Sequence, residues 1–283
     1  KNNFANKSKN LFQMNIGLVL SGGGARGIAH IGVLKALEEY GIYPTYIAGT
    51  SAGAIVGGLY AGGCTWQEIL DFFKTTEIFS FNKYAKNKPG FIDTEKFYDQ
   101  FNAYLPNDNF NALHKRLYIT ATNLLDGTLK VFHSGELIKP ILASAAVPGI
   151  FAPVEIKNGY YSDGGTLNNF PVDLIKMHCD QIIGVYVNPF AKLKIEDLKH
   201  AHNVMERVYH IMLANETIQK FQDCDVLIRP QQMVDFGMFS LKNINEIFNL
   251  GYTAAIKSLE NNTLLRTAPL IEAEFEAMNG FAT

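Results

Sequence analysis

Hydrophobic residues in the first sixty positions alternate between short continuous runs and stretches with helical spacing. Residues Ile16 to Leu20 form an apolar run that ends in a serine and three glycines, a pattern typical of a strand buried on both faces. Apolar residues from Ile28 to Leu37 then recur at helical spacing until Gly41. A second short run, Tyr46 to Ala48, precedes another helical stretch rich in Ala, Ile and Val. Two successive strand–turn–helix units predict a parallel sheet with right-handed crossovers.

The rest of the chain adds hairpins, one more buried strand and several helices. Two hairpins are predicted by Asp126-Gly127 between Leu117 to Thr122 and Leu129 to Phe132, and by Asn158-Gly159 between Val154 to Ile156 and Tyr160 to Ser162. Further elements are a helix over Glu136 to Ala146, a strand over Gln181 to Val187, and helices over Ala201 to Gln222 and Asn243 to Asn261. Residues 65–105 differ, because their aromatic-rich helical pieces predict an inserted cap. A single α/β domain with a helical cap insertion is the simplest organisation.

The amino-acid composition of the chain limits the kinds of partner that we expect it to bind. Hydrophobic residues make up 47% of the chain and charged residues 18%, which argues against extensive disorder. Lys and Arg number 25 against 27 acidic residues, so no nucleic-acid partner is expected. The three cysteines have no metal-ligand spacing, so free thiols and no metal are expected. Since no run of about 18 apolar residues occurs, any membrane contact is expected to be peripheral.

The two ends of the chain are predicted to differ in character. Residues 1–13 are polar with scattered lysines and lack the apolar segment of a secretory signal, so they are predicted to be a flexible N-terminal segment. Residues 14–283 are predicted to form one domain, with its core over about 16–187 and C-terminal helices over about 201–261. Those helices are expected to pack on the domain or to mediate a homodimer. With no visible signal peptide, a cytoplasmic or membrane-peripheral location is favoured.

The first motif that carries chemistry is the glycine loop, Gly22-Gly23-Gly24-Ala25-Arg26-Gly27. It matches the dinucleotide fingerprint G-x-G-x-x-G, but a dinucleotide site also needs an acidic residue after the second strand. Dinucleotide binding is therefore a minor alternative, and no cofactor is expected. The unobstructed backbone N–H groups of such a loop, at a helix N-terminus, can instead stabilise an oxyanion. Arg26 is predicted to add positive charge at the oxyanion or to bind a lipid phosphate, and the alternative is a surface or salt-bridge role near the helix start.

The second motif, Gly49-Thr50-Ser51-Ala52-Gly53, has the form G-x-S-x-G between a strand and a helix. This pattern is typical of a nucleophile elbow, in which a serine occupies a strained turn and small neighbours let the chain pass. The alternative is that Ser51 only caps the following helix.

A serine nucleophile needs a base, which is usually a histidine. The seven histidines are His30, His114, His133, His178, His200, His202 and His210. None lies in a recognisable triad context, so a Ser-His-Asp triad stays open as an alternative. Asp163, which follows a short strand and precedes Gly164-Gly165, is the better candidate, although an acid before paired glycines is also a common turn. Burial would raise its pKa and make it a stronger base.

Four motifs occur in the order found in patatin-like phospholipases, which the chain resembles over roughly residues 16–187. They are the glycine loop, the elbow, Ala143-Ser144 with Pro148, Phe151 and Pro153, and Asp163-Gly164-Gly165. The resemblance implies a three-layer α/β/α sandwich with a mainly parallel central sheet, Ser51 as nucleophile, Asp163 as base and the glycine loop as oxyanion hole. It also implies hydrolysis of ester bonds in phospholipids or lysophospholipids through an acyl-enzyme, without a metal. Acyl transfer and a non-catalytic lipid- or dinucleotide-binding module are the alternatives.

Contact with lipid is predicted for Trp66 to Phe91. This stretch combines aromatic residues with Lys83, Lys86 and Lys88, as interfacial segments do. The alternative is a cap helix packed on the domain.

Overall fold

The computed structural model describes residues 14–76, 93–190, 193–238 and 243–261. Its strands are β1 (Ile16–Leu20), β2 (Tyr46–Gly49), β3 (Arg116–Asn123), β4 (Leu129–Phe132), β5 (Val154–Ile156), β6 (Gly159–Asp163), β7 (Gln181–Val185) and β8 (Val226–Ile228). Its α-helices are α1 (Ile28–Glu39), α2 (Ala52–Ala61), α3 (Trp66–Thr75), α4 (Tyr98–Tyr104), α5 (Ile138–Ser144), α6 (Ala201–Ile218) and α7 (Ile244–Glu260). Short 3-10 turns connect several of them.

All eight strands belong to one mixed sheet in the order β5-β6-β3-β2-β1-β7-β8, with β4 also paired to β3. The pairings of β1 with β2 and β7, of β2 with β3 and of β7 with β8 are parallel. The two predicted hairpins supply two antiparallel pairings, β3 with β4 and β5 with β6, and β3 is also antiparallel to β6. The predicted α/β fold with a mainly parallel sheet is therefore confirmed.

The sheet is covered on both faces, as the continuous apolar strands predict. Leu18 and Leu20 of β1 belong to a large core shared with the helices, whereas Val19 between them joins a second cluster on the other face. That second cluster includes Phe170 and has Phe221 packed against it. Alternate side chains of one strand thus enter two cores, which makes the sheet the middle layer of the fold.

The described helices of the predicted cap pack into the main core. Helix α3 begins with a capping box between Thr65 and Glu68, and it buries Phe72 and Phe73 completely or almost completely. The ring of Phe72 contacts Phe101 of α4. The prediction that this stretch meets lipid is therefore wrong for Phe72 and Phe73, because their rings are already used in packing. Trp66, at the start of this stretch, packs against Phe248 of α7. Lys83, Lys86, Lys88 and Phe91 lie outside the described residues.

Past residue 187 the chain continues to build the same core. Strand β8 extends the sheet beside β7, and α7 packs against α1 so closely that the helix backbones touch. A Cβ atom at Gly251 would lie 2.1 Å from the carbonyl oxygen of Ala29. Of the predicted alternatives for the C-terminal helices, packing on the domain is what α7 does. The homodimer remains a prediction.

Two further features of the described chain are the state of its cysteines and the character of its helices. Cys64, Cys179 and Cys224 are free and only partly buried, and burial raises the pKa of each thiol. Within the described ranges, none of the helices combines the length and apolar character needed to cross a bilayer.

Candidate active site

Three turns meet at the carboxyl ends of β1, β2 and β7, where the order of the parallel strands reverses. The chain runs from β1 outward to β2 and β3 on one side, whereas β7 and β8 lie on the other. Open parallel sheets form a crevice at such a point, outside the carboxyl ends of the strands. The glycine loop follows β1 and Ser51 follows β2, so the topology brings together two motifs that lie more than twenty residues apart in the sequence.

Ser51 lies on a strained turn between β2 and α2. Its backbone angles, φ 55° and ψ −122°, fall outside the regions that L-residues ordinarily occupy. The turn passes so near to β1 that a Cβ atom at Gly53 would lie 2.1 Å from the carbonyl oxygen of Leu20. The backbone N–H of Ser51 donates to the hydroxyl of Ser144 at 2.8 Å. Gly49, Thr50, Ala52 and Gly53 thus form the sharp elbow that their sequence predicts, and Ser51 makes no side-chain cap hydrogen bond.

Asp163 ends β6 and lies against Ser51. Its residue surface is 2% exposed, and its carboxylate accepts a hydrogen bond from the N–H of Gly165 at 2.7 Å. Burial raises the pKa of Asp163 to about 6 against the opposing effects of the Ser51 hydroxyl and the Gly165 N–H, both of which favour the ionised form. The carboxylate is therefore a stronger base than an exposed aspartate, and it lies close enough to the Ser51 hydroxyl to interact with it.

The glycine loop lies beside Ser51. A Cβ atom at Gly22 would lie 3.1 Å from the Cβ of Ser51, and one at Gly27 would lie 2.4 Å from the Cβ of Ala52. Three amides of the loop are already engaged, since Gly22 N–H donates to Asn169, Ala25 N–H to Met238 and Arg26 N–H to Gly23. Within the described part of the chain, the amides of Gly23 and Gly24 have no acceptor. These two N–H groups can receive a developing oxyanion.

Arg26 is not at the surface. It is only 6% exposed, and its Nε donates to the carbonyl oxygen of Phe236 at 2.7 Å. The prediction of a surface position near the helix start is wrong, because the segment that precedes α7 covers this side chain. The alternative contact with an oxyanion or a lipid phosphate stays a prediction.

The histidine side chains for which the structure gives contacts make them with groups other than the Asp163 carboxylate. His30 is fully buried, its Nε2 lies 2.8 Å from the carbonyl oxygen of Ser21, and burial lowers its pKa to about 4. His178 stacks on Tyr46, and His133 packs against Tyr118. His114 lies against Gly63. The side chains of His202 and His210 lie outside the described residues.

Three further residues, which the motifs do not reveal, hold the turns together. The amide of Asn188 donates to the carbonyl oxygen of Gly22 at 2.5 Å. Because C=O and N–H point in opposite directions across a trans peptide, this bond directs the N–H of Gly23 away from Asn188. Thr120 Oγ1 lies 2.6 Å from Thr50 Oγ1, and Thr50 Oγ1 also donates to the carbonyl oxygen of Asn168 at 2.8 Å. The only local signal for Asn188 is its place just after the last buried strand.

A metal site would need several His, Cys, Asp or Glu side chains close together. Among the described residues, no group of three or more His, Cys, Asp or Glu side chains has the arrangement that would hold a metal ion. The expectation of a metal-free, cofactor-free site stays a prediction.

Two curated relatives and one solved structure show what the chain is similar to. It is 27% identical to a protein named lysophospholipase NTE1 from Meyerozyma guilliermondii, over 90% of this chain and 20% of that protein. It is 32% identical to lysophospholipase NTE1 from Eremothecium gossypii, over 66% of this chain and 13% of that protein. The chain thus spans a fifth or less of the length of these relatives.

The fold is shared with VipD from Legionella pneumophila, at a TM-score of 0.56 and 14% identity, over 88% of this chain and 67% of that one. A family model described as patatin-like phospholipase matches residues 18–175, which is more than half of the chain and includes the glycine loop, Ser51 and Asp163. The chain therefore belongs to the patatin-like phospholipase family.

Proposed function

We propose that this protein is a lipid acyl hydrolase in which Ser51 and Asp163 form a catalytic dyad. The observation that carries the proposal is the buried Asp163 carboxylate, which interacts with the Ser51 hydroxyl. The open amides of Gly23 and Gly24 lie in the loop that touches Ser51. These groups could act as the nucleophile, the base and the oxyanion donors that acyl transfer to serine requires, which supports the proposal.

The proposed reaction has two halves. Ser51 Oγ attacks the ester carbonyl while Asp163 takes its proton, and the oxyanion is held by the amides of Gly23 and Gly24. The intermediate collapses, the C–O bond to the leaving alcohol breaks, and Asp163 returns the proton to that alcohol. Water then attacks the acyl-enzyme, giving its proton to Asp163, and the carboxylic acid leaves as Ser51 regains a proton. Asp163 must be ionised to begin, so turnover is expected to rise as pH increases through about 6.

The proposed substrates are phospholipids or lysophospholipids. This choice is supported by the family that the chain belongs to and by relatives named lysophospholipase. A proposed peripheral contact with lipid would bring the crevice to such substrates. Phe72 and Phe73 of α3 are buried and unavailable for that contact, but α6 exposes several apolar side chains.

Activity-based labelling tests the nucleophile directly. A fluorophosphonate probe is expected to label the native protein at Ser51, and intact mass with peptide mapping would locate the adduct. Ser51→Ala is expected to abolish labelling and to lower hydrolysis of a soluble short-chain ester by at least about 10³-fold, since the nucleophile is lost. The circular dichroism spectrum should not change, because only one oxygen atom is removed.

The same assay separates the dyad from a histidine triad. Asp163→Asn is expected to lower kcat by about 10²–10⁴-fold, which is typical for loss of a general base. His30→Gln serves as the matched control, since His30 is equally buried but is bound to the backbone of Ser21. It is expected to cost no more than about tenfold. An active Asp163→Asn variant, or a folded His30→Gln variant as inactive as Ser51→Ala, would contradict the dyad.

A further inference from the structure

Asn168 is bonded to the segments that carry both members of the proposed dyad. Its backbone N–H donates to the carbonyl oxygen of Gly164, the residue after Asp163, at 2.8 Å. Its carbonyl oxygen accepts from the hydroxyl of Thr50, the residue before Ser51, also at 2.8 Å. Asn168 is 3% exposed. The relative position of Ser51 and Asp163 therefore depends on how this one residue is held.

The side chain of Asn168 is fixed by a charged pair on the other side. Its amide nitrogen donates to both oxygens of Asp173, at 3.0 and 3.2 Å. Its amide oxygen accepts from the ammonium group of Lys220 at 2.8 Å. Lys220 also bonds to Asp173 at 3.0 Å and to Glu216. Both polar ends of the amide thus have a partner, and Lys220 connects them.

Loss of Lys220 would release this arrangement. The oxygen of Asn168 would be left without its donor, and Asp173 would lose the cation beside it. A buried polar group without a partner is destabilising, so the Asn168 side chain would be driven to rotate or to admit water. Its backbone bonds to Gly164 and Thr50 would then be less firmly held. Reaction rates respond strongly to such shifts, since a displacement of about 1 Å can cost about 10²-fold.

Lys220 lies outside the segment that matches the family model, which ends at residue 175. It belongs to the 3-10 turn Gln219–Asp223, which directly continues α6. We propose that Lys220 is a positioning residue, by which the chain after α6 holds Asn168 and so keeps Ser51 aligned with Asp163. This inference rests on the proposed function, because it assumes that the dyad is the catalytic unit.

The test compares two lysines of the same region. Lys220→Met removes the ammonium group and keeps an aliphatic stem, whereas Lys220→Arg should restore most of the activity because it retains a donor and a charge. The control is Lys176→Met, since Lys176 pairs with Asp223 of the same turn at 3.2 Å and has no assigned contact with Asn168. On a soluble short-chain ester, Lys220→Met is expected to lower kcat by about 5–50-fold with KM changed less than about twofold. Lys176→Met should leave both constants unchanged.

A readout that does not depend on activity completes the test. Hydrogen exchange at the Asn168 amide, which bonds Gly164, is expected to be faster in Lys220→Met than in Lys176→Met. Unchanged kcat and unchanged exchange in Lys220→Met would overturn the positioning role, as would a loss of kcat that Lys176→Met shares. If Lys220→Met is poorly folded, Lys220→Gln provides a neutral donor for the same comparison. Full activity of Ser51→Ala, measured in parallel, would instead overturn the proposed function. The hydrogen-exchange result would still show whether Lys220 stabilises the bond between the Asn168 amide and Gly164.

Discussion

At the scale of single residues, the Asp163 carboxyl group lies where ionisation is disfavoured. Burial raises its pKa to about 6, from a usual value of 3.8. The native state therefore holds this proton to higher pH than the unfolded chain does. The resulting stabilisation is complete below about pH 4 and is lost as the pH rises through about 6.

Asp163→Asn is expected to remove this pH dependence, because the amide does not titrate. The free energy of unfolding of the variant, relative to that of the unmodified protein, should increase by about 1–3 kcal/mol between pH 4 and pH 8. Urea denaturation at several pH values measures the difference. The variant should thus be inactive yet gain relative stability in alkaline conditions.

Asp126→Asn provides the control of opposite sign. Asp126 is exposed, and hydrogen bonds from Thr128 lower its pKa. Its contribution is therefore present above the usual carboxyl pKa and is lost as the pH falls. Asp126→Asn should be less stable than the unmodified protein at neutral pH, and the difference should shrink in acid. A relative stability of Asp163→Asn that is flat across pH 4 to 8 would show that Asp163 is not desolvated.

Residues whose roles depend on the local chain could be predicted, and those whose roles depend on distant contacts could not. The sequence makes Ser51 and Asp163 candidates because each follows a short strand and borders glycines, and their proposed roles stay predictions. Asn188 bonds Gly22 across 166 positions, and the carbonyl of Asn168 meets Thr50 across 118. No spacing in the sequence reports such pairs. Arg26 was misplaced for the same reason, since Phe236, which covers it, comes 210 residues later.

At the scale of elements, the strands with strong apolar patterns were predicted with nearly correct bounds. Strand β1 matches its predicted range, and the hairpin turn at Asn158-Gly159 joins β5 to β6. Strand β8 was missed, because three residues between Asp225 and Arg229 show no periodicity. Its position is fixed by tertiary contacts, including the bond from Ile182 N–H to the carboxylate of Asp225 at 2.7 Å.

The packing of α7 on α1 gives a testable expectation for Gly251. A Cβ atom there would collide with the backbone of Ala29, which cannot move aside as a flexible side chain can. Gly251→Ala is expected to lower the free energy of unfolding by about 1–3 kcal/mol, through overpacking, despite the higher helix propensity of alanine. Thr253→Ala, at an exposed position of the same helix, is the matched control. Equal stability of the two variants would mean that α7 is not seated as described.

At the scale of the whole molecule, α6 exposes its larger apolar side chains and buries smaller residues. It buries Ala214 and Thr217, whereas its exposed side carries larger apolar residues. Those residues are Val204, Met205, Val208, Ile211, Met212 and Ile218. Their spacing of three, four and seven places them along one side of the helix. The end of this segment is tied to Asn168 through Lys220.

We expect the exposed apolar stripe of α6 to make the proposed contact with lipid. Met205 and Met212, which are 73% and 62% exposed, lie two turns apart on α6. The double variant Met205→Glu with Met212→Glu is expected to lower binding to phosphatidylcholine vesicles and hydrolysis of vesicle lipid by about tenfold or more, because charges resist entry into the interface. Hydrolysis of a soluble short-chain ester should be unchanged, since neither residue belongs to the proposed dyad. Met177→Glu is the control, because Met177 is 85% exposed but lies before the amino end of β7, at the opposite edge of the sheet. If the double variant and Met177→Glu lose hydrolysis of vesicle lipid equally, or if neither loses it, a lipid contact through α6 would be contradicted. If only the oligomeric state of the double variant changes, the stripe would instead be assigned to contact with a second copy of the chain.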